Sequence, residues 1–382
     1  YAEGYERESN DTNPALLEEA VQLAADSDVA VIFAGLPDSF ESEGYDRQHM
    51  RMPDCQNELI NEICKVQENV IVVLHNGSPV EMPWNDKVSA VLEVYLCGEA
   101  TGEATADILF GKANPCGKLA ETIPMKLSDT PCYLTFPGDR HAEYNEGVFV
   151  GYRYYDKKEM AVRYPFGHGL SYTTFEYSDI KLSDTTVGDD DILTVNAVIT
   201  NTGNCVGKEI VQLYVADKSG FAVRPEKELK DFIKIELQPG ERKTVTFRLD
   251  KRAFSYYNEA LGDWYAPNGK YDIMIASSSR DIRLTAEVTH KTAVKLPFVA
   301  TENTVFGEFM DYAEGKATLD LLFSKVAKGL LGGDHFEPEA VRSMIGSMPL
   351  RQIRSFGGIS DELLQQAVDM LNKDFGGFKA QM

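Results

Sequence analysis

Several things are scarce in this chain of 382 residues. It has no run of 18 consecutive apolar residues, so no stretch reads as a membrane-spanning helix. Positive charge is thin: 38 Lys and Arg stand against 60 Asp and Glu, a net charge of −22. Phosphate recognition needs clustered Lys and Arg, which argues against nucleic acid or an anionic membrane as partner and favours a neutral or cationic ligand. The six cysteines, Cys55, Cys64, Cys97, Cys116, Cys132 and Cys205, contain no C-x-x-C pair and no His at zinc spacing. They form no disulfide scaffold; Cys64 and Cys97 read as small buried hydrophobes, and the usage prefers a reducing, cytoplasmic setting. Gly98–Gly102 lacks the Lys-Ser/Thr of a phosphate loop, and Gly167-His168-Gly169 lacks the third glycine of a dinucleotide loop. No cofactor is expected. His75 and His168 have no partners at metal spacing and read as structural. The opening residues, Tyr1-Ala2-Glu3-Gly4, carry neither an initiator Met nor a signal peptide.

What is present suffices for two or three domains: 43% hydrophobic and 26% charged residues. Over residues 1–130 helix and strand alternate. Asn13-Pro14 opens a helix carrying Leu16, Leu17, Ala20 and Val21 at helical spacing. Val29–Ala34 is a continuous apolar run, the mark of a parallel strand buried on both faces. Pro53 opens the next helix, Val70–Leu74 is the next strand, Val88–Leu96 a third, and Ala100–Phe110 a third helix. The rhythm is β-α-β-α-β, an open and mostly parallel α/β layer.

Residues 131–175, rich in Tyr and Pro, read as a linker packed on its neighbours, with Tyr152, Tyr154 and Tyr155 on the sheet or stacked on sugar rings, and Arg153 paired with Asp156. Over 176–290 the period becomes two, as in Leu193, Val195, Ala197 and Ile199, and again in Val211, Leu213 and Val215. That predicts a β-sandwich of about seven strands. Over 291–382 the chain turns helical, with amphipathic stretches at Leu319–Leu331, Pro338–Ile345 and Ser360–Leu371. So short a region makes a small core alone and needs to pack on something else.

The chemistry points to residues 36–52, between the first strand and the helix at Pro53. Connections in α/β units usually take about 2–6 residues, and ligands bind at the carboxyl ends of parallel strands. This long loop holds Asp38, Glu41, Glu43 and Asp46, with Arg47 and Arg51 able to pair with two of them. A carboxyl left without a cation in a partly buried loop has its pKa raised, as a general acid requires. The competing reading is a solvated, salt-bridged surface loop.

Glu41-Ser42-Glu43-Gly44-Tyr45-Asp46-Arg47 resembles the acid/base loop of glycoside hydrolase family 3, the β-glucosidase family. Leu74–Val80, Ala106–Gly111 with Asn114–Leu119, Tyr144–Asp156 and Tyr164–Tyr172 resemble further stretches of that family. Asn201-Thr202-Gly203, Lys227–Lys230 and Pro239-Gly240-Glu241 resemble its fibronectin III-like domain, and the tail near Met348–Arg351 resembles the C-terminal extension of bacterial members.

The resemblance implies a retaining hydrolase acting on a β-linked glucoside or oligosaccharide. Glu43 falls at the acid/base position, with Glu41 as the lesser candidate. Two carboxyls about 5–5.5 Å apart do this chemistry. The family's nucleophilic Asp lies on a (β/α)8 barrel, yet no eight-fold βα pattern is present here. Neither Trp84 nor Trp264, the only tryptophans, follows the Ser-Asp of that segment. The chain therefore reads as the C-terminal portion, with the barrel, and the first strand and helix of the α/β domain, lying outside it. The barrel would be in cis or a separate chain, and this chain alone is expected to be inactive. Two rivals remain: a non-catalytic carbohydrate-binding or scaffolding module, and a family 3 enzyme of other specificity, such as a β-xylosidase or β-N-acetylglucosaminidase.

Overall fold

The computed structural model describes residues 1–322, 345–356 and 360–381, which fall into two compact units. The first comprises Tyr1–Val187, Ile192–Ala253 and Lys270–Thr289; the second comprises Gly188–Asp191, Phe254–Gly269 and the described residues from His290 onward.

The first unit opens with α1 (Pro14–Ala25), whose Asn13 cap accepts the Ala15 N–H at 3.1 Å. β1 (Ala30–Gly35), α2 (Asp54–Ile63), β2 (Val70–His75) and β3 (Ala90–Glu93) follow, then α3 (Thr101–Leu109). The strands are parallel in the order β1-β2-β3, with Ile32 beside Val72 and Val73 beside Leu92. Helices α1 and α2 cover one face, where Ala20, Ala24, Leu59 and Ile60 pack with Ile32 and Val72.

The other face departs from expectation. Val31 and Phe33 are 40% and 52% exposed, so β1 is covered on one side only among the described residues. The run is apolar enough for two-sided burial, but no described element meets its second side. β3 is also shorter than Val88–Leu96, because Tyr95 turns to φ +53° and leaves the extended region. Cys97, past that turn, is exposed rather than buried.

The segment expected to be a linker contains regular structure. Within it, α4 (Tyr152–Lys157) precedes β5 (Val162–Tyr164), which pairs antiparallel with β4 (Ile123–Pro124). Tyr152 stacks on Phe166 at 4.8 Å, and its hydroxyl accepts the Leu229 N–H at 2.8 Å. Arg153 and Asp156 do not pair with each other. Arg153 reaches Glu228 at 3.4 Å, while Asp156 takes Lys227 at 2.9 Å and Arg280 at 2.8 Å.

Two sheets follow. β6 (Phe175–Leu182), β8 (Leu193–Asn201) and β11 (Arg242–Leu249) form one, in the order β11-β8-β6. β7 (Thr186–Val187), β9 (Gly207–Asp217), β10 (Glu228–Leu237), β14 (Gly269–Ser278) and β15 (Asp281–His290) form the other, in the order β10-β9-β14-β15-β7. β8 buries every second residue, from Leu193 to Asn201. The sandwich is bonded to the α/β layer through Asn114. Its Nδ2 donates to the Val206 carbonyl at 2.9 Å, and its Oδ1 accepts from the Tyr172 N–H at 2.8 Å. Beside it, Lys118 meets Glu209 at 3.0 Å in a nearly buried ion pair.

In the second unit β12 (Tyr256–Asn258) and β13 (Asp263–Tyr265) form a hairpin. The helix Asp361–Phe375 is capped by Ser360 and ended by Gly376 at φ +61°. Phe298, Phe306, Phe309, Leu350, Leu371 and Phe375 pack into one cluster. The tail has a small core built on four phenylalanines, and it packs on Phe254–Gly269, where Gln381 accepts the Tyr265 hydroxyl at 3.0 Å. The helix expected at Ser360–Leu371 is present, and residues 316–322 are helical. The remainder of the Leu319–Leu331 expectation, and Pro338–Ile345 apart from Ile345, lie outside the described residues.

Candidate active-site loop

The loop of residues 36–52 springs from a fixed base. At the end of β1 the Gly35 N–H donates to Gln56 Oε1 at 2.9 Å, and its carbonyl accepts from Gln56 Nε2 at 2.9 Å. A Cβ on Gly35 would stand 2.0 Å from the His75 carbonyl oxygen, so this approach of β1 to β2 requires glycine. The Pro37 carbonyl accepts the N–H groups of Phe40 and Glu41, which turns the chain sharply. Ser42 then bridges to Tyr45, and the Tyr45 hydroxyl donates to the Asp38 carbonyl. The return is anchored by buried Met50 and Met52.

The two candidate carboxylates sit in different surroundings. Glu41 Oε2 accepts the Gly77 N–H at 2.5 Å and its Oε1 accepts the Ser78 hydroxyl at 2.7 Å. Arg47 Nη1 lies 3.8 Å from Glu41 and donates to Ser78 Oγ at 2.8 Å and the Pro79 carbonyl at 3.0 Å. Glu41 and Arg47 therefore staple the loop to the turn after β2. Burial lowers the Arg47 pKa, and Glu41 opposes that. Glu43, two residues on, is exposed and has no hydrogen bond or ion pair among the described residues. The partly buried setting expected for an acid is absent, since nothing described packs over the loop tip. Asp38 and Asp46 are exposed as well, and Arg51 makes no ion pair among the described residues.

Behind the loop stands a group that the sequence reading missed. Glu93, the last residue of β3, accepts the Tyr95 N–H at 3.0 Å and the Asn76 Nδ2 at 3.4 Å. Asn76 Nδ2 also donates to the Ser78 carbonyl at 3.0 Å. Burial pushes the Glu93 carboxyl up to about 7, and raises Glu121 nearby. The available signal was a Glu closing an apolar parallel strand, at the end of the sheet where ligands bind.

The histidines serve packing. His75 stacks on Phe33 at 6.2 Å and His168 on Tyr164 at 5.0 Å, and burial lowers both pKa values. Among the described residues no group of three His, Cys, Asp or Glu is placed to hold a metal ion, and no helix is long and apolar enough to cross a membrane.

Residues 4–172 match the glycosyl hydrolase family 3 C-terminal domain, and residues 209–279 match a fibronectin type III-like domain. The chain is 50% identical over 375 residues to thermostable β-glucosidase B of Acetivibrio thermocellus, covering 97% of this chain and 50% of that protein. It is 43% identical to an exo-α-(1→6)-L-arabinopyranosidase of Bifidobacterium breve, covering 81% of this chain and 41% of the relative. Among solved structures it resembles the GH3 β-glucosidase of Bifidobacterium adolescentis, with TM-score 0.76, 41% identity, and 83% and 47% of the two chains covered. The chain spans half or less of the length of these relatives. The parallel layer with the stapled carboxylate loop falls within the first match and most of the two-sheet sandwich within the second, and the chain belongs to glycoside hydrolase family 3, carrying that family's C-terminal domain and a fibronectin type III-like domain.

Proposed function

We propose that this chain is the acid/base-bearing part of a retaining β-glucosidase, with Glu43 as the acid/base and the nucleophilic Asp on a (β/α)8 barrel outside it. One observation carries the reading: of the two carboxylates in the matching motif, Glu41 is held by Gly77, Ser78 and Arg47, while Glu43 at the loop tip has no partner among the described residues. A carboxyl already accepting two hydrogen bonds is poorly placed to pass a proton to a leaving group; a free one can reach a sugar brought over the loop. The exposed Val31 and Phe33 support a further part of the protein covering this layer. In the first step Glu43 donates its proton to the glycosidic oxygen as the Asp attacks the anomeric carbon. In the second it takes a proton from the water that releases the sugar.

The division at about residues 130, 175 and 290 is part of the same reading, with the middle segment packed on the sandwich through Tyr152. A cytoplasmic setting rests on cysteine usage alone. The arabinopyranosidase among the relatives favours a second specificity, an α-L-arabinopyranoside in place of a β-glucoside.

The test uses a protein that also carries the barrel, assayed on both glycosides. Glu43→Ala should lose about 10²–10⁴-fold on a disaccharide and far less in bond breaking on an activated aryl glucoside. Azide should restore turnover and yield a glycosyl azide of retained configuration. Leaving-group dependence and azide rescue in Glu41→Ala, but not in Glu43→Ala, would move the role by two residues. The chain alone should show no turnover; turnover by the pure chain, lost on mutating one of its own residues, would refute the external nucleophile.

A further inference from the structure

A chain of polar contacts runs from the loop into the sheet: Arg47 and Glu41 to Ser78, Ser78 to Asn76, Asn76 to Glu93, and Glu93 to the Tyr95 N–H. Its inner end is under-satisfied. Asn76 is 1% exposed and donates twice from Nδ2, yet its Oδ1 has no donor. Arg47 Nη2 is likewise buried without a hydrogen-bond partner among the described residues, while the Tyr95 hydroxyl faces the Glu121 carboxyl. Tyr95 holds φ +53°, a costly conformation for an aromatic residue, and from it directs its N–H onto Glu93.

We propose that Glu93 is a proton-operated positioning residue for the acid/base loop: its protonated carboxyl lets the Asn76–Pro79 turn hold Glu41 and Arg47, and its ionised form loosens that hold. The Glu93 carboxyl lies 3.4 Å from Asn76 Nδ2, so its protonated form would bring an O–H donor to the side chain whose Oδ1 lacks one. The ionised carboxylate supplies none and adds a negative charge to a partly buried site.

The groups facing Glu93 make that charge costly. Glu121, on the segment leading to β4, and Glu41, on the loop, both repel it, and neither Glu93 nor Glu121 has an ion-pair partner among the described residues. Tyr95 lies on its own segment. Arg47 supplies positive charge but is spent on Glu41 and Ser78. His75, ending β2 next door, has its pKa lowered by burial. Burial, reinforced by Glu121 and Glu41 and opposed by the Tyr95 N–H and Asn76, places the carboxyl's titration at about 7. The relevance to catalysis rests on Glu43 being the acid/base, whereas the geometry and the test below do not.

The test is amide hydrogen exchange of this chain on peptides spanning residues 36–52, corrected for the intrinsic pH dependence of exchange. The opening constant should be flat below about 4.5, the ordinary carboxyl value, rise from there to about 7 by up to about tenfold per pH unit, the limit for a one-proton event, and level off above. Glu93→Gln, which mimics the protonated carboxyl, should keep low-pH protection at every pH. Glu121→Gln removes a like charge and should make the rise level off at lower pH, a result that holds even if the Glu93 variant does not fold. A wild-type loop without pH dependence, a Glu93→Gln loop that follows the wild type, or a Glu121→Gln loop whose rise does not move would each overturn the proposal. Failure of azide rescue at Glu43 would leave these results intact, so the two readings fail separately.

Discussion

The α/β layer and the sandwich solve the same problem, burying the faces of sheets, with different completeness. In the sandwich, Leu193, Val195, Ala197 and Ile199 of β8 are 0% exposed, as are Leu213, Ile273 and Ile275 of the other sheet. Each sheet turns one face in and a polar face out, and the alternating sequence records that. In the α/β layer β1 is apolar on both faces, but only the face under α1 and α2 is buried. The difference teaches that an apolar run records the burial a strand requires, which is not always supplied by the residues around it. The sandwich closes on its own sheets, whereas β1 keeps an open side among the described residues, although Val73 beside Phe33 on β2 is buried.

The comparison breaks most readily in the sandwich. Phe247 on β11 is 1% exposed and lies beside Val195. Phe247→Ala should destabilise the chain by about 3–5 kcal/mol, since the cavity cannot collapse between two sheets. Denaturant unfolding checks this; a loss below about 1 kcal/mol would mean the sandwich is loosely packed.

The next effect lies in the loop. Glu41→Ala strips the Gly77 N–H and the Ser78 hydroxyl of their acceptor and leaves Arg47 without its counter-ion, so it should cost about 1–3 kcal/mol. Glu43→Ala removes no contact and should stay within about 0.5 kcal/mol. Measured together, the pair separates a structural carboxylate from one free for chemistry. Equal losses would contradict that division.

Much of this was legible in the sequence where signals are local. Asn13-Pro14 marked α1, and the alternation of β8 marked a half-buried strand. The long connection after β1 drew attention to the right loop. What escaped has physical reasons. β6 and β10 went unread because a register shift breaks the period of two in each, between Ser178 and Lys181 in β6 and between Leu229 and Asp231 in β10. The fate of Glu41 could not be read because its partners lie 36 and 37 residues away. Glu93 hid for a related reason: its environment is assembled from Asn76, Glu41 and Glu121, which meet only once the strands are in register. The tail's core escaped because aromatic residues outside the helical stretches, such as Phe298, complete it.

A further small effect is expected on the open side of β1. Phe33 is 52% exposed; its ring stacks on His75, and its carbonyl accepts the Tyr5 hydroxyl at 2.9 Å. Phe33→Thr keeps a residue suited to a strand and exchanges apolar surface of which half was never buried. In this chain it should cost about 1 kcal/mol, roughly half the value of burying a whole side chain of this size. In a longer protein whose other domain covers this face, the same substitution should cost about 3–5 kcal/mol, because the ring would then be enclosed. The contrast between the two proteins is the measurement. A small loss in both would mean that nothing covers Phe33 in the longer protein. A large loss in this chain would mean the face is already covered here, and dilution would then show whether a second copy covers it, since self-association weakens with concentration while internal packing does not.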